Sequence, residues 1–182
     1  AMHLLKIDES GALYDSDEAV DLGQPAGDIV FLTSADTEVS LLARAAAIDK
    51  SETQIRIANY LSLTHPFSVD LYIENTARHA RIIVIRLLGG VSYWSYGVQQ
   101  MRALAERGKV CVVFLSGDGK PDLELNYLSS VDPGHCAVLS DYLDSGGLDN
   151  ALGFLAAVSD LINETDYAPP VRPLMRAGLY WP

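Results

Sequence analysis

The chain has 182 residues, 49% of them hydrophobic and 20% charged, the balance of one globular domain with a real core and not of a disordered segment. Its 13 Lys and Arg stand against 24 Asp and Glu, a formal net charge of −11. A nucleic-acid binder needs a basic face to neutralise phosphates, so that class is excluded. No apolar run approaches the roughly 18 residues of a membrane-spanning helix; the most apolar stretch, Ile82–Leu88, is strand-length and carries Arg86.

The acidity is uneven. Asp8, Glu9, Asp15, Asp17, Glu18 and Asp21 crowd the start and read as a solvated loop. From His65 to Gly90 the balance shifts, with Arg78, His79, Arg81 and Arg86 facing only Asp70 and Glu74, which leaves room for a neutral or basic pocket. Cys111, inside Val110–Leu115, reads as a small core hydrophobe. With Cys136 it makes neither a zinc spacing nor a disulfide framework. No signal peptide is visible, so a cytoplasmic location is expected. Ala1 before Met2 reads as a tag remnant. A single α/β domain is expected over residues 1–166, with 167–182 as a linker and the start of the next element of a longer chain.

In chain order, His3–Ile7 is a first short strand. Asp28–Thr33 is a second, apolar enough to be buried on both faces. Ser34, Asp36 and Glu38 supply helix-start residues, and Val39–Ile48 continues as an Ala- and Leu-rich helix. Gln54–Tyr60 is a third strand, with Ile55 and Ile57 on one face. His65-Pro66 breaks the chain, and Ser68 is expected to cap a helix whose stripe is Val69, Tyr72, Ile73, Thr76, Ala77 and Ala80. Arg81–Leu88 is the strongest strand, ended by Gly89-Gly90. A helix over Ser95–Arg107, stopped by Gly108, leads to a fifth strand at Val110–Leu115. Helices over His135–Leu143 and Leu148–Ile162 flank Gly146-Gly147. The alternation predicts an α/β, flavodoxin-like (Rossmann-like) domain. Its mostly parallel sheet is flanked by helices, with helical additions at the C-terminal end.

Open parallel sheets bind ligands at the carboxyl ends of their strands. That edge collects Ser34, Asp36 and Thr37, then Thr64 and His65, then Arg86, Gly89, Gly90, Tyr93, Trp94 and Tyr96, and finally Ser116, Gly117 and Asp118. Gly89–Gly97 is the most unusual stretch. Its glycines permit close backbone approach, and Tyr93, Trp94 and Tyr96 either stack on a planar ligand or cover apolar surface of the sheet. His65 stands alone, without metal-ligand spacing. Asp36 suits a helix N-terminus on dipole grounds alone. Arg86, at the end of a buried strand, needs a carboxylate partner or a bound anion. No phosphate loop is present, because Gly117-Asp-Gly-Lys120 runs into Pro121. No dinucleotide fingerprint and no nucleophile elbow occur either. The residues therefore point to a binding or scaffold domain before a self-contained enzyme.

Four stretches carry a resemblance. They are Gly27–Glu38 (GDIVFLTSADTE), His65–Thr76 (HPFSVDLYIENT), Ile85–Gly97 (IRLLGGVSYWSYG) and Arg176–Pro182 (RAGLYWP). Together they resemble the N-terminal region of the cobaltochelatase large-subunit (CobN) family, with the magnesium chelatase large subunit as its near relative. The resemblance implies a parent enzyme that inserts Co²⁺ into hydrogenobyrinic acid a,c-diamide on the cobalamin route. ATP with Mg²⁺ would be used by separate AAA+ subunits, and no cofactor would be held by this fragment. The implied partners are the rest of the large subunit, the AAA+ subunits and a corrinoid or other tetrapyrrole. The fragment alone is expected not to be catalytic, since no residue of the metal-inserting site can be placed on it. Arg86, Gly89, Gly90, Tyr93, Trp94, Tyr96, His65 and Asp36 are the candidates for one wall of a tetrapyrrole site. A stand-alone flavodoxin-like binding module and a module that only docks the AAA+ partners are the competing readings.

Overall fold

The computed structural model describes residues 19–173. The expected strand His3–Ile7, the acidic residues before Ala19 and the closing Arg176–Pro182 lie outside the described residues. The elements are β1 (Ile29–Thr33), α1 (Asp36–Ile48), β2 (Ile55–Asn59), α2 (Pro66–Asn75), β3 (Ile82–Leu87), α3 (Ser95–Glu106), β4 (Cys111–Ser116), α4 (Leu123–Leu128), α5 (Pro133–Ser145) and α6 (Leu148–Asn163). The four strands are all parallel, in the order β2-β1-β3-β4. The chain leaves β1 for β2 on one side and returns to β3 on the other. The order therefore reverses between β1 and β3, the topological switch of a doubly wound sheet.

Alternation along the strands divides the core into two layers. Val30, Leu32, Ile83, Ile85, Val112 and Phe114 face one way, toward α2, α3 and α4. Ile29, Phe31, Ile82, Val84, Val113 and Leu115 face the other, toward α1, α5 and α6, where Phe31 meets Phe154 edge-on at 5.4 Å between ring centroids. Ile55 and Ile57 join the second layer from β2. Every residue of β1 and β3 is buried, which is why those two strands read as unbroken apolar runs. The outer edge of β4 is closed by Ser129 and Ser130, whose hydroxyls accept from the Phe114 and Val112 amides at 2.8 and 3.0 Å.

Two local expectations change. Helix α2 begins at Pro66 and not after Ser68, because proline suits the first helical turn and His65 provides the cap, its Nδ1 accepting from the Phe67 amide at 3.0 Å. Ser68 is instead buried, its hydroxyl accepting from the Val20 amide at 2.7 Å. The helix α4 was not expected. Asp122 caps it by accepting from the Leu125 amide at 3.1 Å, a signal that follows Pro121 and spans only six residues. Likewise α5 starts at Pro133, behind Asp132, two residues before the expected His135.

The expected boundary at 166 falls inside packed structure. After α6 the chain turns back and runs along α5 and α6. Asp160 accepts from the Thr165 hydroxyl (2.6 Å) and from the Tyr167 (2.9 Å) and Ala168 (2.8 Å) amides. Tyr142 donates to the Pro169 carbonyl, and Asn150 holds the backbone of Arg172 through two bonds of 2.6 and 2.8 Å. The strap thus climbs from the amino edge of the sheet, where Arg81 reaches the Ile162 carbonyl, to the first turn of α6. No helix among the described residues is long and apolar enough to cross a membrane.

Gly97 lies in α3 against the buried Trp94 ring, which an added Cβ would approach to 2.1 Å. Helix propensity alone favours Ala there by about 1 kcal/mol. The clash reverses the sign, so Gly97→Ala should lose about 1–3 kcal/mol in urea unfolding. In the strap, partial burial pushes the Asp160 carboxyl up, but the bonds from Thr165, Tyr167 and Ala168 outweigh it and hold the group below its ordinary value. A lowered folded pKa stabilises the strap above the ordinary carboxylate value and is lost as pH falls through the folded one. Amide exchange of Tyr167 and Ala168 should therefore accelerate on acidification, and Asp160→Asn should remove that dependence.

Candidate functional site

At the carboxyl edge, β3 delivers Arg86 into the interior with 5% of its surface exposed. A guanidinium cannot be neutralised by losing its proton, so a site that dry must bring carboxylates to it. Helix α1 supplies Glu38, 3.2 Å from Nε, and the last turn of α5 supplies Asp144, 2.7 Å from Nη2. Thr33 at the end of β1 donates its hydroxyl to Glu38 at 2.7 Å. Nη1 and Nε are both buried without a hydrogen-bond partner, so Glu38 meets Nε as an ion pair only. The Arg86 charge is thus already balanced by two carboxylates, which ties β1, α1, β3 and α5 together at the switch point.

Beyond β3 the chain turns through Gly89 and Gly90, both at φ 86°, a left-handed conformation that favours glycine. The Tyr93 ring lies directly on Gly89, where a Cβ would come within 2.5 Å of it, while 70% of the residue remains exposed. One ring face is seated on backbone and the other is open. Leu88 closes in the same way over Gly117 after β4, with 2.1 Å to a notional Cβ.

The other candidates are committed elsewhere. Trp94 points inward at 4% exposure, donates Nε1–H to the Leu63 carbonyl at 2.9 Å and stacks on Tyr60 with centroids 5.1 Å apart. It offers no ring face to a ligand, which corrects the expectation of a stacking role. Tyr96 donates its hydroxyl to Asp70 at 2.8 Å, and that bond raises the phenol pKa. His65 caps α2 through Nδ1, and Asp36 accepts from the Asn59 side-chain Nδ2 at 2.8 Å. Gly89, Gly90, Tyr93, Asp36 and Arg86 all sit at the edge, but only the first three form one surface.

After β4, Asp118 is turned back by the Ser116 hydroxyl (2.5 Å) and the Lys120 amide (3.1 Å), which lower its pKa in that order. Beside this turn opens a cavity of about 360 Å³ whose lining includes Ser116, Lys120, Asn126, Ser140 and Asp144. Among the described residues no group of three or more His, Cys, Asp or Glu could hold a metal ion. Burial raises the pKa of both thiols, of Cys111 and Cys136 alike, so neither is primed as a nucleophile. The partners missed from sequence are Asp144, which arrives from a helix and not a strand end, and Glu38 as the counterion of Arg86. The exposed Leu88 and Phe67 were missed as well. For Asp144 no sequence signal existed.

No family model matches the chain. Over its full length it is 42% identical to the aerobic cobaltochelatase subunit CobN of a Sinorhizobium species and 39% identical to that of Pseudomonas aeruginosa. The chain belongs with the CobN subunits of cobaltochelatase. It spans 14% of the length of each of these relatives. A solved structure of the catalytic subunit of cobaltochelatase from Mycobacterium tuberculosis matches with a TM-score of 0.65 at 27% identity, covering 85% of this chain and 13% of that one.

Removing one partner of the buried network leaves Arg86 underneutralised. Glu38→Ala is expected to destabilise the fold by about 3 kcal/mol, measured by denaturant unfolding. Arg86→Leu should cost less, because Asp144 then turns to solvent.

Proposed function

We propose that the chain is the N-terminal domain of the large subunit of an ATP-dependent cobaltochelatase, a cytoplasmic enzyme that inserts Co²⁺ into hydrogenobyrinic acid a,c-diamide, and that its carboxyl edge forms one wall of the tetrapyrrole site. Metal insertion requires deprotonation of ring nitrogens and removal of water from the ion. Those steps belong to other parts of the subunit, with ATP and Mg²⁺ used by AAA+ partners. This domain holds the flat ring in place. The observation that carries the reading is Tyr93, one face seated on Gly89 and the other open at the switch point. Gly89 and Gly90 add backbone that a ring edge can approach closely.

A second reading, a domain that only positions the rest of the subunit, is favoured by the inward Trp94 and by Arg86, whose charge is already matched by Glu38 and Asp144. Titrating the chain with metal-free hydrogenobyrinic acid a,c-diamide, followed by corrin absorbance, separates the two. Saturable binding that weakens about tenfold on Tyr93→Ala, the upper range of an aromatic contact, is expected. Absence of binding, beside tight binding by the whole subunit, would leave the positioning role. A parallel porphyrin titration tests the magnesium-chelatase alternative, which preferential porphyrin binding would favour.

A further inference from the structure

The wall built on Tyr93 leaves the cavity beside the turn after β4 unused. At about 360 Å³ it falls within the range of small-molecule sites, roughly 300–1,000 Å³. Its floor is apolar, with Leu115 at the end of β4 and Cys136 of α5 both buried. Its polar groups are unspent. The side chains of Asn126, Ser140 and Lys120 line it and make no hydrogen bond with any described residue. Asp144 gives only Oδ1 to Arg86, while Oδ2 lies towards Gly119 of the β4–α4 connection, 3.9 Å from where a Cβ there would stand.

Charge decides what such a cavity admits. Three carboxylates, of Asp122, Asp141 and Asp144, line it against the one ammonium of Lys120. Arg86, behind Asp144, does not redress this, because Glu38 already matches it from the other side. A carboxylate that entered would be repelled and would have to shed its water. A primary amide suits the same lining. Its N–H groups donate to carboxylate oxygens, and its carbonyl accepts from Ser140, Asn126 or Lys120.

Strand register sets this cavity beside the Tyr93 seat. Ser116, on its wall, pairs with Leu87, and the Gly117 amide donates to the Leu87 carbonyl at 2.9 Å. Gly89, beneath Tyr93, is two residues further along. One strand spacing of about 5 Å and two residues of at most about 3.5 Å each keep the two within roughly 12 Å. A ring seated on Tyr93 covers that span with its edge and one arm.

Resting on the reading of the carboxyl edge as a tetrapyrrole wall, we infer that this cavity takes an amide-bearing arm of the ring and that Asp141 and Asp144 select amide over acid there. Tyr93 holds the ring face, and the cavity reads the periphery.

Asp144 is tied to Arg86, so the test falls on Asp141, exposed on α5 outside that network, and on Ala137, an exposed residue of the lining. Corrin absorbance titrations of the chain compare metal-free hydrogenobyrinic acid a,c-diamide with metal-free hydrogenobyrinic acid, which carries carboxylates in place of both amides. The diamide is expected to bind at least tenfold more tightly. Asp141→Lys should bring the two within about twofold of each other, and Ala137→Phe, by filling the cavity, should lower the diamide to the affinity of the acid. Tyr93→Ala should weaken both ligands and leave their ratio unchanged. Equal binding of the two by the unaltered chain, both weakened by Tyr93→Ala, overturns the cavity and keeps the wall. A tenfold preference that survives both Asp141→Lys and Ala137→Phe likewise overturns it. Binding of neither ligand by the chain, beside tight binding by the whole subunit, overturns the wall and the cavity with it.

Discussion

A guanidinium at the end of a buried parallel strand has to be neutralised from outside the strand, and that requirement organises the carboxyl edge of this domain. Arg86 draws Glu38 from α1 and Asp144 from α5 onto itself, and Thr33 steadies Glu38 from β1. A pair this dry contributes little net stability against an apolar alternative, but its breakage is costly. Its effect is therefore on register. It ties α1 and α5 to the switch point.

With that crevice occupied by a salt-bridged side chain, what remains available to a ligand or a partner is the rim above it and the cavity beside the turn after β4. The rim is built by glycine. Gly89 and Gly117 each remove a Cβ so that Tyr93 and Leu88 lie flat on backbone and stay in water. The same stretch turns its next aromatic inward, where Trp94 closes the layer over Tyr60 and Leu63. Adjacent aromatics thus divide between core and surface, and the division follows from the 3-10 turn over Val91–Trp94. Successive residues of a helical turn point about a third of a revolution apart.

The strap from Thr165 to Arg172 gives the domain a third layer on one face. Asp160 acts as a cap for that segment, taking two amides and a hydroxyl that the turn after α6 would otherwise leave to solvent. A segment that looks like a proline-bearing linker is thereby packed onto α5 and α6.

The sequence by itself determined the alternation of strand and helix, because strands buried on both faces must be apolar throughout, and Asp28–Thr33 and Arg81–Leu88 have no other use for such runs. It also determined the glycine turn after β3, a signal that acts over two residues. Tertiary structure alone decided which aromatic is outside and what Arg86 meets, since Asp144 lies 58 residues away and comes from a helix end. It also decided what Ser68 meets, since the Val20 amide that donates to its hydroxyl lies 48 residues away. Local signals travel as far as a hydrogen bond within one turn. The identity of a partner across the sheet is written in no segment, because it depends on how the layers close.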